Sequence, residues 1–263
     1  MAHRARESGQ SAVETALTVP MMVFFVLGVI QLGMVHQAQL MTEYAAYRAA
    51  RAGIVNHADC ELMENAAFIS LLPTFPPPVV GFTGSRVDTL FNAGALYLQY
   101  RWIPLNRRFL TGLERVEVDI VNPTGNQLDS LFNSYGSHLQ RKEIDWDDVR
   151  DEQVIRGNLL TVRVTYNYQM RIPFADRLIH SWFMGINRLQ DLKGIQFENQ
   201  KAFGVMGSQT YLEAVGATRG GVFPQLAALA TIFDTYVVPL TATYSMRMQS
   251  NLFKQGMQDC IAN

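Results

Sequence analysis

The strongest hydrophobic pattern of the chain lies near its N-terminus, where Ala16–Val35 runs for 20 residues without a charged side chain. In a helix that rises about 1.5 Å per residue, such a run is about 30 Å long, which matches the hydrocarbon core of a bilayer. Ala38–Ala52 continues with good helix formers, and Gly53 with Asn56 is typical of a helix end. The pattern therefore predicts one continuous helix over about residues 11–55. Its expected kink or close-packing points are Pro20, Gly28 and Gly33.

A short second helix is expected next, because Asp59 can cap a helix over Cys60–Leu72. The proline-rich run at 73–78 should stop it, and we interpret this run as a stiff spacer.

Beyond Pro78 the pattern changes mostly to strands and irregular loops. Alternating apolar and polar residues predict strands at 116–121, 160–170 and 240–249, and the second is the cleanest. Residues 173–190 are typical of an amphipathic helix or a loop. This order indicates an α+β fold: a long N-terminal helix, a short helix and a small antiparallel sheet.

The predicted organisation has four parts: a leader at 1–9, the long helix at 10–55, a connector at 56–78 and an α+β domain at 79–263. The stretch 222–240 is apolar enough to suggest a second membrane span. Pro224, Gln225, Asp234 and Pro239 argue against that interpretation.

Charge and composition narrow the function classes. The net charge is −1 and the pI about 6.5, so the chain lacks the basic character of proteins that bind nucleic acids, and we expect no nucleic-acid partner. Hydrophobic residues make up 48% of the chain and mean hydropathy is +0.02, which one span does not fully explain. The domain outside the span is thus expected to carry surfaces buried against other subunits.

The residues that carry chemistry form no catalytic pattern. Neither metal-ligand histidine spacing nor a nucleophile or phosphate-binding motif occurs, so we expect no catalytic residue, no metal, no cofactor and no small-molecule substrate. An acidic cluster is interpreted as a solvated helix face, with calcium binding as the alternative. Its members are Asp145, Asp147, Asp148, Asp151 and Glu152. Tyr166 and Tyr168 are assigned to sheet packing rather than to a ligand platform.

Glu14 is the most informative single residue, because it lies where the apolar stretch begins. A carboxylate at the edge of a membrane helix is costly, by up to about 3 kcal/mol at mid-bilayer, and normally has a partner or a task. The alternative is an ordinary helix-start residue that remains in water. Gly9 lies five residues earlier, and the segment before it carries Arg4 and Arg6.

This N-terminus resembles that of class III, type IV-like prepilins: a short basic leader, a glycine, a glutamate five residues later and then an apolar helix. The run AVETALTVPMMVFFVLGVIQLG resembles the TadE/TadG-like proteins of the tight-adherence (Tad) pilus machinery, as do AAYRAARAGIV, TVRVTYNYQMRIP and PLTATYSMRMQS more loosely. Thr15 and Gln31 depart from the family pattern.

The resemblance implies cleavage after Gly9 by a membrane-embedded prepilin peptidase, which leaves Gln10 as the mature N-terminus. It also implies that Glu14 pairs with the N-terminus of a neighbouring subunit. The expected function is that of a minor pilin or pseudopilin whose partners are the membrane, other pilin-like subunits and the peptidase.

Two alternatives concern the first segment. A cleaved secretory signal fits poorly, because the apolar run is longer than about 15 residues and no suitable small-x-small site follows. An unprocessed single-pass scaffold of the same machinery is the stronger rival. Arg4 and Arg6 before the span are matched by Arg48 and Arg51 after it, so charge does not orient the helix. The leader and the resemblance imply a cytoplasmic N-terminus in a bacterial inner membrane and an outer C-terminal domain.

Cys60 and Cys260 are the two cysteines of the chain. Outside the cytoplasm they could form a disulfide that closes a loop of about 200 residues, worth on the order of 5 kcal/mol in the chain-entropy model. Two free thiols are the alternative.

Overall fold

A computed structural model gives the fold. It describes residues 4–78, 89–134, 143–148, 152–193, 222–253, 257 and 260–261, without the side chains of 4–10, 186–193 and 222–223. The helices are α1 (Arg4–Val55), α2 (Cys60–Leu71), α3 (Leu90–Trp102), α4 (Pro104–Arg107), α5 (Gly125–Ser134), α6 (Glu152–Gly157), α7 (Ala175–Lys193) and α8 (Val222–Ile232). The strands are β1 (Val116–Asn122), β2 (Glu143–Ile144), β3 (Leu159–Gln169), β4 (Val237–Arg247) and β5 (Leu252–Phe253).

The long helix is confirmed as one continuous element of 52 residues that contains Pro20. The predicted cap of α2 is also confirmed, since the Asp59 carboxylate accepts a hydrogen bond from the Leu62 amide at 3.2 Å. Between the two helices, His57 and Ala58 adopt positive φ angles of 59° and 57° and so reverse the chain. As a result α2 packs back along α1.

The three predicted strands form one antiparallel sheet in the order β1-β3-β4, with β3 in the centre. Val164 of β3 lies opposite Val118 of β1 and Ala242 of β4. The predicted apolar face is confirmed: the even-numbered side chains of β3 from Leu160 to Tyr168 are all buried. The α+β class is therefore confirmed.

Helices α1 and α2 cover the apolar face of the sheet, and Gly53 lies where they approach it most closely. A Cβ atom at this position would lie 2.6 Å from both the Leu160 Cδ2 and the Met63 Sδ atoms. Tyr47 of α1 also contacts Tyr244 of β4 edge to face, with 5.2 Å between the ring centroids. The C-terminal half of α1 is thus part of the core.

A second, smaller apolar cluster surrounds Val237 at the start of β4. It consists of Phe109, Leu113, Phe183 of α7, Leu226 and Leu229 of α8, and Val237 itself. Helices α7 and α8 thus meet at the end of the sheet where β4 begins, and Ile179 of α7 and Ala230 of α8 also pack against the main core.

Three expectations were wrong. The region after Pro78 is not mostly strand and loop, because α3 and α5 occupy much of 90–134. The proline-rich run is not merely a stiff spacer, since Phe75 is 1% exposed and packs on Phe68, Tyr100 and Tyr166. The acidic side chains Asp145, Asp147 and Asp148 do not lie on a helix.

The stretch 222–240 is divided between α8 and β4, in line with the arguments against a second span. Within the part of the chain that the structure describes, one helix is long and apolar enough to cross a membrane, and it lies in α1 at Ser11–Val55.

Candidate functional site: the N-terminal helix and its contacts

Helix α1 has two halves of opposite environment. From Ser11 to Ile30 the residues are exposed, apart from two intermediate positions, and large apolar side chains predominate. Leu17, Met21 and Phe25 each expose more than 70% of their surface. This half projects from the domain as bare apolar surface, which in water would be unfavourable by roughly 25 cal/mol per Å². Its natural surroundings are a bilayer or other apolar helices.

The second half of α1 is buried against the sheet and α2 through small side chains. Ala38, Ala45, Ala46, Ala49 and Ala50 are at most 1% exposed. Alanine is the best helix former and lets a helix approach a sheet closely. This explains physically why the segment is rich in alanine, which sequence reasoning had ascribed to helix propensity alone.

Gln31 marks the boundary between the two halves and is completely buried. Its side-chain oxygen accepts hydrogen bonds from the backbone amides of Ile172 at 3.0 Å and Arg171 at 3.4 Å. Seven residues earlier, the ring of Phe24 contacts that of Phe174 edge to face at 5.7 Å. The segment before α7 is therefore attached to α1 within the apolar stretch. Sequence reasoning noted Gln31 only as a departure from a family pattern and missed this role.

The predicted processing and pairing residues lie at the far end of the exposed half. Gly9 and Gln10 are within α1, and the side chain of Gln10 is outside the part that the structure describes. The Glu14 residue is exposed, and its backbone carbonyl accepts a hydrogen bond from the Thr18 hydroxyl at 2.9 Å. Cleavage after Gly9 and pairing by Glu14 stay predictions.

Cys60 and Cys260 are joined by a disulfide in the structure, with 5.7 Å between their Cα atoms. Cys60 is the first residue of α2, and Ile261 next to Cys260 forms a parallel bridge with Ile120 of β1. The bond thereby connects the C-terminal segment to the end of α1 that is farthest from the apolar half. Glu64 lies near both sulfurs, but sulfurs bonded to each other are not the thiolates that bind metals.

Two buried polar side chains were not anticipated from the sequence. Arg115 is 4% exposed, and its guanidinium donates to the Asn106 carbonyl at 2.7 Å and lies 4.1 Å above the Phe109 ring. Burial lowers its pKa from the ordinary value. His180 of α7 is equally buried, with its Nδ1 atom 3.1 Å from the Val237 carbonyl oxygen, and burial lowers its pKa. Arg115 thus holds α4 next to the start of β1, and His180 holds α7 against the start of β4.

The tyrosines of β3 belong to the core, as predicted. Tyr166 is 1% exposed and donates to the Thr74 carbonyl at 3.1 Å, and burial raises its pKa. Tyr168 is 3% exposed.

At the acidic cluster, a hydrogen bond with Asp147 raises the pKa of Asp145. Glu152 pairs with Arg156 at 2.6 Å. Asp151 lies outside the described residues.

These features define a class: a protein with a projecting apolar N-terminal helix, suited to membrane insertion, whose second half forms the core of an α+β domain. Residues 9–51 match the model of the family described as TadE-like protein, which confirms the predicted resemblance for that segment. The match spans both halves of α1 and ends four residues before the helix does. Neither the curated proteins nor the solved structures that were compared with the chain gave a match.

Proposed function

We propose that this protein is a minor pilin or pseudopilin of a Tad-type pilus or secretion assembly. The match of residues 9–51 to the TadE-like family supports an association with Tad pilus assembly, whose TadE-like components are structural proteins. The observation that carries the finer proposal is the division of α1 into an exposed apolar half and a half that belongs to the domain core. A subunit with this geometry can exchange lipid for neighbouring helices without unfolding its domain.

In this proposal the peptidase cuts after Gly9 on the cytoplasmic side, and Gln10 becomes the mature N-terminus. The domain lies on the outer side of the inner membrane. An oxidising compartment there fits the disulfide between Cys60 and Cys260.

Glu14 has the central role in assembly. Within a bundle of packed helices the effective dielectric is low, so burying a carboxylate there without a counter-charge is costly. Cleavage creates a positive α-amino group at Gln10, and the Glu14 carboxylate of one subunit neutralises that of its neighbour. The attraction at about 4 Å is on the order of 4 kcal/mol at intermediate dielectric. Such pairing would set the register of subunit addition and disfavour uncleaved subunits.

The test compares Glu14→Gln with wild type in cells that assemble the pilus or pseudopilus. We expect membrane insertion and processing to persist, while incorporation into the assembly falls. Gly9→Arg tests the preceding step, which is cleavage by the peptidase, because it should block processing and leave the leader attached. Normal incorporation of the Glu14→Gln protein would refute the pairing role. Normal incorporation of an unprocessed Gly9→Arg protein would instead favour a membrane scaffold of the same machinery.

A further inference from the structure

One exposed surface outside the apolar half of α1 stands out on α7. Phe174, Leu178 and Trp182 expose 65%, 73% and 64% of their surface. Leu178 and Trp182 lie four residues apart on one face of α7, and Phe174, with a φ angle of 69°, directly precedes the helix. We call these three residues the α7 apolar stripe. The neighbouring positions Ala175 and Phe183 are buried against the domain. Helix α7 thus has an inner apolar face that packs and an outer apolar stripe that stays about two-thirds exposed, although Phe174 contacts Phe24.

The contacts between this segment and α1 give the stripe a position along the membrane helix. Phe174 touches Phe24, and Ile172 binds the side chain of Gln31. The dense run of large exposed apolar side chains in α1 extends from Val13 to Leu32, and Leu40, Tyr44 and Val55 are isolated exposed positions beyond it. The run is about 30 Å of helix, which is one hydrocarbon core. Phe24 lies about 12 Å inside the domain end of that stretch. The stripe therefore begins below the surface of any bilayer that covers the whole apolar half.

The end of α8 adds a second apolar surface at the same place. Ile232 and Phe233 are 70% and 40% exposed. Asp234, the next residue, pairs with Arg177 of α7 at 3.0 Å and accepts a hydrogen bond from the Tyr236 hydroxyl at 2.8 Å. These bonds hold the α8 end beside the first turn of α7, so two separate chain segments expose apolar side chains at this end of the domain.

We propose that the α7 apolar stripe docks the domain onto the outer leaflet of the bilayer, with Phe174 among the acyl chains beside Phe24 and Trp182 in the boundary between acyl chains and headgroups. A helix with a polar side and a tryptophan on its apolar side is suited to that boundary. The docking rests on the proposed insertion of α1 and extends it: the domain would lie against the membrane with a fixed tilt.

A second copy of the chain is the competing occupant, and the area of the stripe by itself is too small for it. Three side chains that are about two-thirds exposed offer on the order of 400 Å², whereas a stable interface buries about 800 Å² on each partner. A bilayer needs no complementary surface, and it is already adjacent through the apolar half of α1.

The tryptophans of the chain provide the probe. Trp102 lies at the opposite end of the domain, because its neighbour Arg101 pairs with Glu61 at the start of α2. The amide of Trp146 donates to Asn251, whose carbonyl lies 2.9 Å from the His57 ring. Both are near the C-terminal end of α1, about 45 Å along the helix from Phe24.

The experiment reconstitutes the full-length protein in vesicles of phosphatidylethanolamine and phosphatidylglycerol, with or without bromine atoms on the acyl chains. The variant Trp102→Phe/Trp146→Phe retains Trp182 alone, and the matched variant Trp182→Phe retains the two distant tryptophans. We expect brominated lipid to quench the fluorescence of the first protein, with blue-shifted emission, and to leave the second unquenched. Leu178→Asp in the first protein should reduce the quenching.

Resistance to alkaline extraction reports separately whether α1 is inserted. If the protein is inserted and Trp182 is unquenched, the docking is refuted while membrane anchoring stands. If Trp182 is shielded only at high protein density, and its emission moves to the red when the protein is diluted in lipid, the stripe binds a second copy and the docking is again refuted. An extractable protein would refute the anchoring itself and the docking with it.

Discussion

Gln31 shows how a single side chain can define where a membrane helix joins its domain. Its side-chain oxygen satisfies two backbone amides of the segment before α7, in a fully buried position. An unsatisfied buried amide costs about 1–3 kcal/mol. Gln31→Leu would leave both amides without their acceptor, and it would also remove the Nε2 group, which is buried without a hydrogen-bond partner among the described residues. We therefore expect it to lower the free energy of unfolding by about 1 kcal/mol, the lower end of that range. Thermal unfolding in detergent, followed by circular dichroism, measures it.

The control for this change is Gln37→Leu, which makes the same chemical substitution at an exposed position of the same helix. It should leave the unfolding temperature almost unchanged. Equal losses in the two variants would contradict the assigned role of Gln31.

His180 provides a prediction about pH. Burial lowers its pKa in the folded protein, whereas in the unfolded chain the pKa is about 6.5. Above pH 6.5 both states hold the neutral ring, so its contribution to stability is intact there. As pH falls through about 6.5 and towards the folded value, the unfolded state binds the proton first and stability is lost, by at most about 1.4 kcal/mol per pH unit.

We expect the stability advantage of the wild type over His180→Gln to shrink between about pH 7 and pH 5.5. Chemical denaturation at several pH values measures the two curves. Parallel curves across that range would contradict the account of His180.

At the scale of elements, the two halves of α1 should respond differently to the same substitution. Ala49 is completely buried between α1 and the sheet, whereas Ala16 is exposed in the apolar half. Ala49→Leu should destabilise the domain by about 1–3 kcal/mol, because added methyl groups overpack a filled core. Ala16→Leu should have no such effect. Unfolding of both variants in detergent decides the matter, and a stable Ala49→Leu protein would mean that α1 does not pack on the sheet as described.

The regular elements were largely predictable from the sequence because their signals are local. Period-two alternation located β1, β3 and β4, and the apolar length of α1 with the cap at Asp59 located the first two helices. Helices α3 and α5 were not predicted. Gly94 weakens the helical pattern of the α3 sequence, and α5 has only 10 residues. The position of Phe75 in the core could not be predicted, because it depends on tyrosines about 25 and 91 residues away in the chain.

The candidate site also has a part that the sequence predicts and a part that it does not. Glu14 and Gly9 could be identified from their spacing before an apolar run, because this pattern is visible in the sequence without any tertiary structure. Contacts between Gln31 and Ile172, or between Phe24 and Phe174, join residues about 141 and 150 positions apart. No periodicity in the sequence encodes such pairs, so the attachment of the domain within the apolar stretch emerged only from the structure.

For the whole molecule, the disulfide connects the start of α2 with the C-terminal segment of the chain. Cys60 and Cys260 close a loop with a sequence separation of 200, worth on the order of 5 kcal/mol in the chain-entropy model. Protein from the cell envelope should therefore migrate faster on a non-reducing gel than after reduction, and reduction should lower the unfolding temperature. If both thiols of the native protein react freely with an alkylating reagent, the pairing is wrong in the cell.

The proposed function requires this protein to be a processed subunit of a pilus-type assembly. The intact mass of the protein from assembled material, and from the membrane fraction, reports whether it is processed. We expect a chain that begins at Gln10, lighter than the unprocessed chain by the nine residues Met1–Gly9. Assembled protein that retains residues 1–9 would contradict it.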